Sequence, residues 1–214
     1  MCIRDRKEGE AFQSTSKNQK VFYHKLGTPQ SDDVLVHEDP KHPEWGFSPE
    51  VTEDGKYLVI TVWKGTDDRY RVMYKSLADK DAPMVELIDN FENEFTFVGN
   101  EGSLFYFKSD VEAPKKCVLT IDITKPQREN WKVIVPEVEE TMSSASLVGD
   151  SLIANYLKDA KTQIKLFDLA GKFVREVEFP GIGTASGFTG LRTHDETFYS
   201  FSSFNRPPST FGTI

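Results

Sequence analysis

A polar turn recurs along this chain at a nearly constant spacing. Aspartate or asparagine stands at positions 54, 100, 150 and 195, roughly 45 to 50 residues apart, and each turn leads into an apolar run. In the pair Asp54-Gly55, glycine can take the positive φ that a tight hairpin turn requires. One such hairpin cannot bury its own face, but the repeat length is that of a four-stranded β-propeller blade. The sequence therefore predicts an all-β fold, a partial β-propeller of about four blades.

The strands of this prediction follow the β-branched and aromatic runs. Proline at positions 40, 43 and 49 excludes a helix from that segment, and we find no amphipathic helix longer than two turns. Residues 20–26 look like the last strand of an earlier blade. The other predicted strands are 34–36, 57–63, 71–77, 84–88, 104–107, 117–122, 131–135, 152–156, 163–168 and 198–201.

The first residues do not match the pattern that follows. They lack the apolar core of a secretory signal. We expect residues 1–10 to be a non-native or disordered leader and residues 11–214 to form one incomplete propeller domain.

Composition excludes several classes of function. No apolar run approaches the roughly 18 residues of a membrane span, so we expect no membrane partner. The net charge of −8 argues against a nucleic-acid partner, since phosphate binding needs clustered lysine and arginine. Only Cys2 and Cys117 are present, which argues against a disulfide framework and favours a reducing compartment such as the cytoplasm.

No serine occupies a nucleophile elbow. That motif, Gly-x-Ser-x-Gly, needs glycine two residues either side of the serine. Around Ser48 the last position is Glu50, with Pro49 beside the serine, and around Ser186 the glycines have the wrong spacing. Both serines are interpreted as turn or strand-end residues.

The histidines do not predict a metal or cofactor site. His37 and His42 are five residues apart and separated by proline, whereas a zinc-binding helix needs a spacing of four. A solvated loop is the simpler interpretation. His24 and His194 lie at a strand end and in a turn and are interpreted as structural. There is no phosphate loop and no dinucleotide fingerprint, so we predict no metal and no organic cofactor.

Most aromatic residues alternate at strand spacing, which predicts packing between blade sheets. Trp45, Phe47 and Trp63 differ because they fall at strand ends beside loops, where ligand-facing residues are often placed. Core filling is the alternative for each of them and is favoured for each taken alone. The aromatics predicted to be core are Phe22, Tyr23, Phe95, Phe97, Phe105, Phe107, Phe167, Phe198 and Phe201.

Several segments together resemble one known family. Residues 21–33, Trp45, and the segments 54–60, 102–109, 130–137 and 197–204 look like the propeller of prolyl oligopeptidase, in order and with few gaps. The resemblance covers nearly everything after about position 10.

The resemblance implies a function for a longer parent protein. Members are cytosolic or periplasmic serine endopeptidases that cut short peptides after proline. A hydrolase domain with a Ser-Asp-His triad is capped by a seven-bladed propeller that gates access to the active site. This chain would be an arc of that propeller, with its own hydrolase domain as the missing partner and short proline-containing peptides as substrates. Alone it should be inactive.

The resemblance also implies substrate-facing positions. In the family a few propeller residues reach the cleft, and by position these match Gly46, Phe47, Trp63 and Thr66. They could offer contact surface but no catalytic group.

Two alternatives stay open. One is a non-enzymatic propeller that binds a protein or peptide. The other is a related peptidase that prefers basic residues or acylated peptides, which only the hydrolase domain could distinguish.

Overall fold

The structure, a computed structural model, describes residues 2–4 and 17–213. In these residues the chain forms five antiparallel sheets and two single-turn 3₁₀ helices, Gln30–Asp32 and Arg128–Asn130. Consecutive strands are neighbours in every sheet, as in propeller blades, so the all-β prediction is confirmed. None of the helices in this part of the chain is long and apolar enough to span a membrane. The chain divides into two compact units, residues 1–95 and 96–214.

Sheet A, in the first unit, has three strands. Strand β2 (Gln19–Tyr23) is central and pairs with both β1 (Cys2–Arg4) and β3 (Val34–Glu38). The predicted strand 20–26 ends early because a turn with Gly27 at φ 89° follows it. Of the leader predicted at 1–10, residues 2–4 belong to β1, and residues 1 and 5–10 lie outside the described residues.

Sheet B completes the first unit and contains the hairpin on which the prediction was based. The turn carries Gly55 at φ 69°, and the Asp54 carboxylate accepts hydrogen bonds from Thr52 Oγ1 (2.7 Å) and Lys56 N (3.1 Å). Pro49 is tolerated in the first strand because that strand lies at the sheet edge. The strands, in spatial order, are β4 Trp45–Val51, β5 Tyr57–Lys64, β6 Arg71–Ser76 and β7 Val85–Ile88.

The second unit contains sheets C, D and E. The predicted turns at 100, 150 and 195 all fall where the first strand of a sheet ends and the second begins, which confirms the repeat. Sheet C comprises β8 Phe95–Glu101, β9 Leu104–Ser109, β10 Cys117–Asp122 and β11 Lys132–Val135; sheet D comprises β12 Thr141–Val148, β13 Ser151–Lys158, β14 Lys161–Asp168 and β15 Phe173–Glu176; sheet E comprises β16 Thr184–Thr189, β17 Thr197–Ser203 and β18 Arg206–Thr213.

Apolar side chains fill the space between neighbouring sheets within each unit. Sheet A packs on sheet B, sheet C on sheet D, and sheet D on sheet E. Small polar side chains also cross between sheets D and E, where Ser146 Oγ donates to Phe188 O (2.6 Å) and Thr162 Oγ1 to Ala185 O (3.3 Å). The three cores include Val21, Phe47, Ile60, Val62 and Met73; Tyr106, Val118, Met142, Leu152 and Tyr156; and Ile153, Ile164, Leu166, Tyr199 and Phe201.

Two of the aromatics predicted to be core are not. Tyr23 is 62% exposed and Phe198 is 56% exposed. Successive side chains of a strand point to opposite faces, so neither can share the buried side with its neighbour in the sequence. Among the other predicted core aromatics, Phe95, Phe105, Phe107, Phe167 and Phe201 are buried, which confirms them.

Candidate functional site

The predicted substrate-facing residues lie where β4 begins and β5 ends. In the antiparallel register Gly46 stands opposite Trp63, and Trp45 stands opposite Lys64. The β5–β6 loop, which contains Thr66, begins directly after this pair. Sheet pairing therefore brings Gly46 and Trp63 together and places Thr66 beside them in the chain.

The indole of Trp63 lies against the backbone of β4 at Gly46. A Cβ atom at position 46 would sit 2.0 Å from Trp63 Cζ2 and 2.1 Å from Cε2. Such distances are far below van der Waals contact, so any larger residue at position 46 would displace the ring. Gly46 is buried and Trp63 is half-buried, which means that part of the indole surface reaches solvent.

Phe47 has a different environment from the one that the family position suggested. Its side chain is 3% exposed and belongs to the core between sheets A and B. The ring meets the His37 imidazole edge-on, with centroids 4.7 Å apart. Phe47 therefore fills the core, and in this structure its ring has no surface to offer a ligand.

Trp45 forms the centre of an aromatic and cationic stack that the sequence analysis did not predict. The His42 imidazole stacks on it at 3.8 Å, and the Arg71 guanidinium lies 4.9 Å from its ring centroid. Arg71 also pairs with Glu86 at 2.9 Å. Trp45 is 9% exposed, so this residue too has a mainly structural role. Arg71 is the first residue of β6, and nothing in the sequence around it indicated that its guanidinium would pack on the Trp45 ring.

The loop after Trp63 is exposed and carries a local ion pair. Arg69 Nε donates to Asp67 Oδ1 at 2.8 Å, and Arg69 Nη2 donates to Asp67 Oδ2. These hydrogen bonds from Arg69 lower the pKa of Asp67 to about 2, so this carboxylate is ionised at neutral pH. Tyr70 N donates to Asn93 O at 3.0 Å and ties the end of the loop to the segment after β7. Thr66 itself is exposed.

Within the part of the chain that the structure describes, no histidine forms a hydrogen bond with a serine hydroxyl. His24 Nδ1 pairs with Asp33 at 2.6 Å, and His42 Nδ1 pairs with Asp39 at 2.9 Å. His194 Nδ1 accepts from Leu191 N at 3.2 Å. A serine nucleophile needs a base within hydrogen-bonding reach, and the described residues contain no such pair on these histidines.

Ser48, Ser186 and the segment 37–42 do not form a catalytic or metal site among the residues that the structure describes. Ser48 lies in β4 and Ser186 in β16, so neither stands on a strand-to-helix elbow. His37 belongs to strand β3 and not to the predicted solvated loop, which begins only after Glu38. No group of three potential metal ligands occurs within residues 17–213.

Comparison with known proteins gives one consistent family. The family model described as "Prolyl oligopeptidase, N-terminal beta-propeller domain" matches residues 3–213. A prolyl endopeptidase of Elizabethkingia miricola is 37% identical over 205 residues, which is 96% of this chain and 29% of that protein. A prolyl endopeptidase of Elizabethkingia meningoseptica is 34% identical over the same shares of the two chains.

Solved structures agree with the sequence relatives. A structure from a study of two prolyl endopeptidases has a TM-score of 0.85 and 35% identity, covering 92% of this chain and 29% of its own. Prolyl oligopeptidase B from Galerina marginata, bound to a 25mer macrocyclization substrate, has a TM-score of 0.89 and 26% identity over 99% of this chain and 30% of its own. The chain thus spans less than a third of the length of these relatives. It belongs to the prolyl oligopeptidase family and corresponds to part of that family's N-terminal β-propeller domain.

Proposed function

We propose that this chain is the propeller segment of a serine endopeptidase that cleaves short peptides after proline. The observation that carries the proposal is the match to the propeller model over residues 3–213, together with relatives that are named prolyl endopeptidases. The catalytic groups would come from a hydrolase domain in the remaining length of the parent protein. The propeller would gate that domain and exclude large folded substrates.

The isolated chain should have no peptidase activity of its own. Its histidines hydrogen-bond carboxylates, accept a backbone N–H or pack in a core, and among residues 17–213 none is hydrogen-bonded to a serine. Nucleophilic catalysis by serine requires that activation, because the hydroxyl is a weak nucleophile at neutral pH.

Within the segment, we propose that Trp63 and Thr66 contact the peptide and that Gly46 positions the indole. Trp63 keeps part of its ring accessible, and Thr66 is exposed in the adjoining loop. Gly46 leaves the space that the indole occupies. Phe47 is left out of the contact surface because it is buried between sheets A and B.

A chimera tests the proposal. Residues 3–213 would replace the matched segment of the Elizabethkingia miricola enzyme, and a chromogenic peptide with proline before the scissile bond would report activity. We expect the chimera to cleave this peptide and the isolated chain to show only the buffer rate. The same proline sequence placed inside a folded protein should resist the chimera.

Each part of the proposal can fail separately. A chimera that melts cooperatively but leaves the peptide intact would contradict the propeller's role in such an enzyme. Cleavage of the folded substrate would contradict gating. Turnover by the isolated chain that a serine-directed reagent abolishes would contradict its inactivity.

Replacing Trp63 in the chimera tests the contact residues. An aromatic contact contributes about 1 kcal/mol, so Trp63→Ala should raise KM roughly fivefold and change kcat little. Trp131→Ala, which removes a half-buried indole from the second unit, is the matched control and should leave KM unchanged. Equal effects of the two substitutions would contradict a substrate contact at Trp63.

A further inference from the structure

Sheet A is held to sheet B by an unusual combination of a side-chain amide and a histidine. Gln19 of β2 is 9% exposed; its Nε2 donates to Phe47 O at 3.0 Å, and its Oε1 accepts from Phe47 N at 3.1 Å. One amide thus satisfies both backbone groups of a β4 residue, as a neighbouring strand would. Next to this contact, the His37 imidazole of β3 meets the Phe47 ring at 4.7 Å and 87°.

The surroundings of the His37 ring favour its neutral form. Its Nε2 atom is buried and has no hydrogen-bond partner. In a neutral imidazole this nitrogen can remain an unprotonated acceptor, whereas in the imidazolium it must carry a proton, and a buried donor without an acceptor is costly. The aromatic neighbour on β4 offers no acceptor of comparable strength.

Three carboxylates near His37 favour its protonated form, but each of them also pairs with another side chain. Glu38 pairs with Lys20 at 3.2 Å, Asp39 with His42 at 2.9 Å, and Glu86 of β7 with Arg71 of β6 at 2.9 Å. On β4, Glu50 lies three residues from Phe47 and by strand alternation projects to the opposite face. Burial outweighs the attraction of Asp39, Glu38 and Glu86, and the pKa of His37 is lowered from its ordinary value of 6.5.

We propose that His37 makes the contact between sheets A and B sensitive to acid, so that its protonation loosens β2 and β3 from sheet B. The folded state disfavours the protonated His37 ring, so the contribution of the neutral ring to folding stability is fully present above pH 6.5, the ordinary pKa. This contribution is lost as the pH falls through the lower pKa that His37 has in the folded state. His24 and His42 hydrogen-bond carboxylates, unlike His37, whose buried Nε2 has no partner. The Gln19 amide does not titrate, so its two hydrogen bonds to Phe47 are not themselves a source of pH dependence.

Hydrogen exchange of the 214-residue chain tests this inference. Peptides covering residues 19–38 would be followed from pH 7.5 to 5.0, corrected for the intrinsic pH dependence of exchange, with peptides from residues 104–122 of the second unit as the internal reference. Protection of 19–38 should fall relative to the reference, by about tenfold for each unit by which the pKa of His37 lies below 6.5. His37→Phe, which keeps an aromatic edge on Phe47, should abolish the fall, and His24→Gln should retain it.

A second measurement needs no variant. NMR titration of the His37 ring in the unaltered chain should give a pKa below 6.5. A value at or above 6.5 would overturn the proposal even if His37→Phe did not fold. An equal loss of protection in a folded His37→Phe variant would overturn it as well.

Discussion

Replacing Phe201 with alanine should lower the free energy of unfolding of the second unit by about 3 to 5 kcal/mol. The Phe201 ring is 1% exposed and stacks on Phe179 at 5.6 Å. It belongs to the core between sheets D and E, and its truncation leaves a cavity that strands paired on both sides of β17 cannot collapse to fill. Urea unfolding followed by circular dichroism would measure the change as a shift in the midpoint.

Phe198 on the same strand is the matched control. It lies three residues away, on the opposite face of β17, and is 56% exposed. Phe198→Ala removes the same atoms but little buried area, so we expect a change below about 1 kcal/mol. If the two substitutions cost the same, the packing of sheet D on sheet E described here would be wrong.

The repeat and the all-β fold were predictable from the sequence because the second strand of each four-stranded or C-terminal sheet is rich in β-branched, aromatic and other apolar residues and follows a polar turn. The polar turns before β5, β9, β13 and β17 mark the start of each second strand. Strand β10 is buried on both faces, and β9, β13 and β14 are buried at most of their apolar positions, so their composition is easy to recognise.

Three of the strands that were not predicted have the composition of loops. Strand β12 contains three serines, β16 contains a serine and a glycine, and β18 contains Pro207 and Pro208. Each of these is an edge strand, so its backbone pairs with a neighbouring strand on one side only. Edge position, which the sequence does not reveal, permits residues that a central strand would exclude.

The candidate site was only partly predictable for a similar reason. The register that places Gly46 beneath Trp63 follows from the Asp54-Gly55 turn, and an aromatic residue beside a loop was a visible signal. Which of Trp45, Phe47 and Trp63 would remain accessible depended on sheet A. Its strands supply Gln19 and His37 against Phe47, contacts across 28 and 10 positions of the chain that no local pattern encodes.

Replacing Gly171 with alanine should also destabilise the second unit strongly, by roughly 2 to 5 kcal/mol, through a close contact between backbones. Gly171 lies in the β14–β15 turn at φ 85°, and a Cβ atom there would stand 2.0 Å from Ile134 O of β11. The turn is fixed by Asp168, whose carboxylate accepts from Ala170 N at 3.0 Å and from Lys172 N at 2.8 Å. Because Asp168 fixes the turn and the β11 strand that carries Ile134 is paired with β10, the substitution should separate sheet D from sheet C at this point.

Gly102→Ala separates the two causes of that loss. Gly102 has a similar left-handed φ of 58°, but nothing lies within 4 Å of the Cβ that alanine would add. Gly102→Ala should therefore lower the free energy of unfolding only by the cost of a left-handed backbone at alanine, about 1 to 2 kcal/mol. Urea midpoints of both variants and of the unaltered chain give the difference directly. Because the difference is the contribution of the contact with Ile134 O, equal midpoints would show that sheet C does not hold the β14–β15 turn.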